Sequence, residues 1–160
     1  MNIVTVSTRP AYDVCIGEGL LAHAGEHMRN ALRPCRAAIV TDTTVDALYG
    51  QTVEDSLRAA GFDSVRYAFP AGEIHKRLST LEDILEFLAE SQMTRTDLVV
   101  ALGGGVVGDM AGFAAAVYAR GIRFVQIPTT LLAAVDSSVG GKTAVDLRAG
   151  KNLAGCFHQP

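Results

Sequence analysis

The chain has 160 residues, enough for one domain with a real core, and nearly half of them are apolar. Its net charge of −3 leaves no basic footprint, so nucleic acid is a poor partner, and any phosphate must be met by local cations. No apolar run reaches the roughly 20 residues of a membrane helix. The N-terminus lacks the charged and apolar regions of a secretory signal. Cys15, Cys35 and Cys156 are widely spaced, which fits reduced thiols in a cytoplasm and no metal knuckle.

In chain order, Val4 to Ser7 and Tyr12 to Ile16 read as two short strands joined across Pro10, a hairpin. After the break at Gly17 to Gly19, the residues Leu21, Ala24, Met28 and Leu32 line one face of a helix. His23-Ala24-Gly25-Glu26-His27 within it spells the H-x-x-E-H of inverted zinc proteases. The two histidines fall opposite the apolar stripe, Gly25 weakens the helix, and no third ligand is evident, so they read as surface histidines. Ala37 to Thr41 forms a strand ending at Asp42. A helix then runs to about Ala60 and stops at Gly61, a good residue just past a helix end. Val65 to Phe69 is a strand closed by Pro70. Ser79-Thr80-Leu81-Glu82 has the form of a capping box, opening a helix with Leu81, Ile84, Leu85 and Leu88 on one side.

The run Leu98 to Leu102 is wholly apolar and passes into Gly103-Gly104-Gly105-Val106-Val107-Gly108-Asp109, before a second apolar run from Met110 to Tyr118. This is strand, glycine turn, helix. A helix start presents unpartnered N–H groups, and glycines let a ligand come close to them. The arrangement suits a phosphate or pyrophosphate. A tight turn packed on a neighbouring helix is the alternative; three glycines, Gly108 and the acid Asp109 favour a nucleotide. Phe124 to Ile127 is a further strand, stopped by Pro128. Alternation of strand and helix predicts a Rossmann-like α/β fold, a parallel sheet with helices on both faces. Ligands bind such sheets outside the carboxyl ends of the strands. Asp42, Gly103 to Gly105 and the pair Thr129-Thr130 all follow strands and so can share one crevice.

Beyond Leu131 the texture becomes small, polar and glycine-rich. Gly141-Lys142-Thr143 ends like a P-loop, but the first glycine of that motif would fall on Asp136, and no strand precedes it; Leu131 to Val135 reads as helix. The segment reads as a flexible loop with a ligand-directed lysine. Arg148, Lys151, Asn152 and His158 add donors.

Four runs carry a resemblance that covers nearly the whole chain. Gly103 to Asp109, Ile127-Pro128-Thr129-Thr130-Leu131-Leu132, Val135 to Thr143 and Gly150-Lys151-Asn152-Leu153 resemble the signature runs of 3-dehydroquinate synthases, and Gly72-Glu73 with Lys76 is similar to a further motif of that family. The resemblance implies that residues 1 to 160 are an NAD-binding domain. It also implies a helical C-terminal domain outside this chain, carrying a glutamate and two histidines that hold zinc or cobalt. The implied activity is conversion of 3-deoxy-arabino-heptulosonate 7-phosphate, a phosphorylated seven-carbon keto acid, to 3-dehydroquinate and phosphate. The cofactor would be NAD, recycled within each turnover, and the complete protein a homodimer. By the same resemblance, Asp42 accepts from adenosine ribose hydroxyls, Glu73 and Lys76 touch the nucleotide, and Gly103, Gly104 and Gly105 face the pyrophosphate with Thr129 and Thr130 nearby. Asp109 binds the nicotinamide side or braces the loop. Asp136 and Lys142 hold substrate hydroxyls or carboxylate, and Lys151 and Asn152 reach substrate or nicotinamide; both lysines are also expected on the cofactor side. Arg120 binds substrate phosphate, in a neighbouring subunit. The related readings are another sugar-phosphate cyclase, a metal-dependent polyol dehydrogenase, or a stand-alone nucleotide-binding module.

Overall fold

A computed structural model describes the whole chain, Met1 to Pro160. At its centre, two strands buried on both faces are nearly continuous apolar runs, and with two outer strands they form a parallel sheet of four. The four are β3 (Arg36–Asp42), β4 (Asp63–Phe69), β5 (Leu98–Gly103) and β6 (Arg123–Pro128), in the order β4-β3-β5-β6. From β3 the chain steps outward to β4, then returns to the other side of β3 for β5 and continues to β6. The stepping direction reverses between β3 and β5, and at such a reversal the two following loops diverge and leave a crevice.

Alternation along the strands divides the core in two. Ala37, Ile39, Leu98, Val100 and Leu102 face α1 (Ala24–Ala31) and α3 (Gln51–Ala59). Ala38, Val40, Val99 and Ala101 face α4 (Leu78–Glu90) and α5 (Gly105–Val117). The expected helix after β3 is present but not uniform. A turn of α2 (Thr43–Val45) passes through a π-helical turn, Asp46–Gly50, into α3. Gly25 does more than weaken α1. Its N–H donates to Ser56 Oγ at 3.0 Å, and a Cβ there would lie 2.1 Å from the Ser56 carbonyl oxygen, so glycine is what lets α1 and α3 touch.

The N-terminal hairpin is β1 (Asn2–Val6) against β2 (Tyr12–Ile16), antiparallel. Three expectations need correction. Ser79 does not cap α4: the cap position is Arg77, with no side-chain bond, and Ser79 lies inside the helix. The start is set by tertiary pairing instead, because Arg77 is extended and bridges to Asp146. Helix α5 begins at Gly105, so Asp109 sits within it, not ahead of it. And the segment beyond Leu131 is no flexible loop. A helical turn through Ala133–Ser137 leads to an antiparallel hairpin, β7 (Lys142–Leu147) and β8 (Gly150–Phe157). Thr143 and Val145 are buried against α5, where Gly112 makes room; a Cβ on Gly112 would stand 2.6 Å from Thr143 Cγ2. Helix α5 is thus enclosed by the sheet and the hairpin, which accounts for its lack of a polar face.

Candidate functional site: a glycine turn at the sheet's reversal point

Asp42 ends β3, Gly103 ends β5, and Thr129 and Thr130 follow β6, so adjacent strands bring them to one edge. The Thr129 N–H donates to the Gly103 carbonyl at 3.0 Å, closing the turn. Gly104 occupies the cap position of α5 and offers no side chain, so the first N–H groups of the helix keep their donors free. A Cβ on Gly104 would meet only Thr130 Cγ2, at 3.3 Å, and one on Gly105 only Ser137 Oγ, at 3.2 Å. The other two glycines of the motif serve packing. A Cβ on Gly103 would collide with Val107 at 2.5 Å, and one on Gly108 with Gln126 Oε1 at 2.7 Å. The close approach open to a ligand therefore lies over Gly104 and Gly105. Beside it is a cavity of about 330 Å³ lined by Leu21, Tyr49, Pro128, Thr129 and Thr130. Thr129 Oγ1 is buried with no hydrogen-bond partner, a donor and acceptor left for something else.

Asp42 Oδ1 accepts the N–H groups of Thr44 and Val45, both at 2.9 Å, capping the following helix and fixing the carboxylate at the crevice; Oδ2 has no protein partner. Thr130 Oγ1 likewise accepts from Ala133 N–H at 3.2 Å.

A second group of polar residues gathers where the 73–77 segment meets the hairpin. Lys76 is buried. Its Nζ lies 2.5 Å from Asp109 Oδ2 and 2.5 Å from Asn152 Oδ1. Asp109, within α5, thus pairs with Lys76. Burial pushes the Asp109 carboxyl up from its ordinary value, against the pull of Lys76, with Glu73 and Asp146 adding to the rise. Above this group, exposed Lys151 meets Glu73 at 2.8 Å, and that bond holds the Lys151 amine above its ordinary value. Glu73, Lys76, Asp109, Lys151 and Asn152 are thus one cluster. Asp146 joins it unannounced by any motif: its N–H donates to the Lys76 carbonyl at 2.8 Å and its Oδ1 accepts the Asn152 N–H at 2.8 Å.

Three expected residues stand apart. Asp136 and Lys142 are exposed, with no side-chain partner. Lys142 opens β7 opposite Phe157, four residues and about 13 Å of strand from Asp146. Arg120 lies past the far end of α5, about 20 Å along the helix from the glycine turn, so within one chain it does not join the crevice. Nowhere do three His, Cys, Asp or Glu side chains converge as metal ligands; His23 pairs with Glu26 at 3.2 Å on the surface.

The fold and site define a Rossmann-like α/β domain with an uncapped helix start at its reversal point. A family model described as 3-dehydroquinate synthase N-terminal matches residues 66–160, and the chain belongs to the 3-dehydroquinate synthase family. It is 54% identical over 157 residues to a 3-dehydroquinate synthase of Enterococcus faecalis, covering 98% of this chain and 44% of that protein. A structure of 2-deoxy-scyllo-inosose synthase complexed with carbaglucose-6-phosphate, NAD+ and Co2+ superposes with a TM-score of 0.88 at 28% identity, over 99% of this chain and 44% of the other. The 2-epi-5-epi-valiolone synthase of Streptomyces hygroscopicus, with NAD+ and Zn2+ bound, gives 0.84 at 33% identity, over 98% and 43%. The chain spans less than half the length of each of these relatives. No helix is long and apolar enough to cross a membrane.

Proposed function

We propose that these residues are the NAD-binding part of a cytoplasmic 3-dehydroquinate synthase. The complete protein, a homodimer, converts 3-deoxy-arabino-heptulosonate 7-phosphate to 3-dehydroquinate and phosphate. The observation that carries the cofactor assignment is the uncapped start of α5 above Gly104 and Gly105, beside the unpartnered Thr129 hydroxyl. A pyrophosphate there accepts from the helix N–H groups, and Thr129 donates beside it. Asp42 Oδ2 is free to accept ribose hydroxyls while Oδ1 keeps the helix capped. The Lys76–Asp109–Asn152 group, with Glu73 and Lys151, faces the reactive end. NAD when bound supplies reversible hydride removal, which acidifies the proton next to the leaving phosphate.

This chain's own residues orient and polarise. Lys142 and Asp136, unpaired on the surface, are placed to hold substrate carboxylate and hydroxyls. Arg120 acts on substrate phosphate from the partner subunit. These residues do not fit a metal, which takes at least three protein ligands in most such sites; zinc or cobalt ligands are assigned to the rest of the protein.

Two substitutions test the placement. Gly104→Val projects a branched side chain into the ligand's space and is expected to weaken NAD at least tenfold, about 1.4 kcal/mol, in calorimetry on the complete protein. Unchanged affinity would sink the pyrophosphate assignment. Lys142→Ala is expected to leave the melting temperature within about 2 °C, because an exposed unpaired lysine contributes little to stability, while cutting turnover at least a hundredfold. A large thermal loss with turnover kept would make Lys142 structural. The related sugar-phosphate cyclases are the second reading, favoured by the two superposed synthases. Phosphate release from the heptulosonate phosphate with no net NADH selects the first; release only from a different sugar phosphate selects the second.

A further inference from the structure

The β7–β8 ladder pairs Val145 with Ala154 and Leu147 with Gly150. Between those pairs β7 has one residue, Asp146, and β8 has three, Lys151, Asn152 and Leu153. The strand bulges outward there, and a bulge re-aims side chains. Within it Asn152 has φ of 55°, in the left-handed region. Asparagine reaches that region more readily than most residues, though it costs energy without support. The support comes from across the ladder. Asp146 Oδ1 accepts the Asn152 N–H at 2.8 Å. Asp146 N–H donates to the Lys76 carbonyl at 2.8 Å, and Lys76 Nζ donates to Asn152 Oδ1 at 2.5 Å. The three residues form a closed ring of hydrogen bonds. Of the three, Lys76 also reaches beyond the ring, to Asp109.

We infer that Asp146 is a positioning residue, holding the bulge so that Asn152 and Lys151 are delivered to the Lys76–Asp109 pair. It acts through hydrogen-bond geometry, not charge. In its effect on turnover the inference rests on the function proposed above.

The test compares Asp146→Ala with Asp146→Asn in the complete protein, reading phosphate release and the hydrogen exchange of the Asn152 amide. Asparagine keeps an acceptor oxygen in place and removes the charge; alanine removes both. In D146A, Asn152 exchange is expected to quicken at least tenfold and turnover to fall at least tenfold. D146N is expected to stay within threefold of the parent on both. Equal impairment of D146N and D146A would assign the effect to charge and overturn the inference. So would D146A with normal turnover or unaltered exchange. If the parent itself releases no phosphate, the functional reading fails separately and the ring is judged on exchange alone. Quickened exchange in D146A, restored in D146N, then supports it, and any other pattern overturns it.

Discussion

Lys76→Met is expected to cost the fold about 3 kcal/mol at neutral pH, the low end for breaking a buried ion pair from one side. The side chains of Lys76 and Asp109 are 6% and 17% exposed, so Asp109 would be left with little water to replace its partner. The sign of the pH dependence follows from the direction of the Asp109 shift. Burial already raises its folded value above the ordinary 3.8, and both of the opposing influences come from Lys76. A raised acid binds its proton more tightly folded than unfolded, so its contribution is greatest below the ordinary value. That contribution is lost as pH climbs through the folded value. Without Lys76 the folded value rises further, and the variant should regain stability as pH is lowered from 8 to 5. The double variant Lys76→Met with Asp109→Asn should be flat over that range. Urea unfolding at the two pH values is the measurement, and an equal deficit at both would refute the account.

The second large effect is on catalysis. Residues 1 to 160 alone are expected to release no phosphate from the heptulosonate phosphate, with NAD and either zinc or cobalt, while the complete protein turns over. The chain gathers no ligand triad. The segment leading to Asp136 is also bare, with Leu131, Leu132 and Val135 exposed at 80%, 70% and 69%. A cleft with an open wall leaves the eliminating phosphate in water, where local charges are weak. Phosphate appearing with the purified 160-residue chain would mean that the metal is held by residues within it.

The parallel sheet could be read from sequence because doubly buried strands leave an unbroken apolar signature, as in Leu98 to Leu102 and Ala37 to Thr41. The glycine turn was legible for a similar reason, since strand, glycines and apolar helix are contiguous. What contiguity does not carry was lost. Gly103 and Gly108 also make room for Val107 and Gln126, and the second of these contacts is visible only once α5 lies on β6. The β7–β8 hairpin mixes small, charged and apolar residues. Its signal was the alternation of Thr143 and Val145 with Lys142, Ala144 and Asp146, ahead of a two-residue turn at Arg148-Ala149. The burial of Lys76 depends on Asp109 and Asn152, far along the chain. A lysine in a polar stretch gives no local hint of that. Asp146 reads as an ordinary loop acid until the bulge opposite it is seen.

The bond from the Gly140 N–H to the Tyr12 hydroxyl, 3.0 Å long, joins residues 128 apart. A two-stranded hairpin is marginal in water by itself, and β1–β2 exposes Ile3, Val4 and Ile16. On the ribosome, the first segment made must therefore wait for residue 140. The sheet between residues 36 and 128 can close on α3, α4 and α5 in the meantime, because those three helices lie within that stretch. Within these residues the order of assembly is then the sheet first and the two hairpins late. Until residue 140 is made, the nascent chain carries a sticky N-terminal ribbon, and in this interval it is open to self-association.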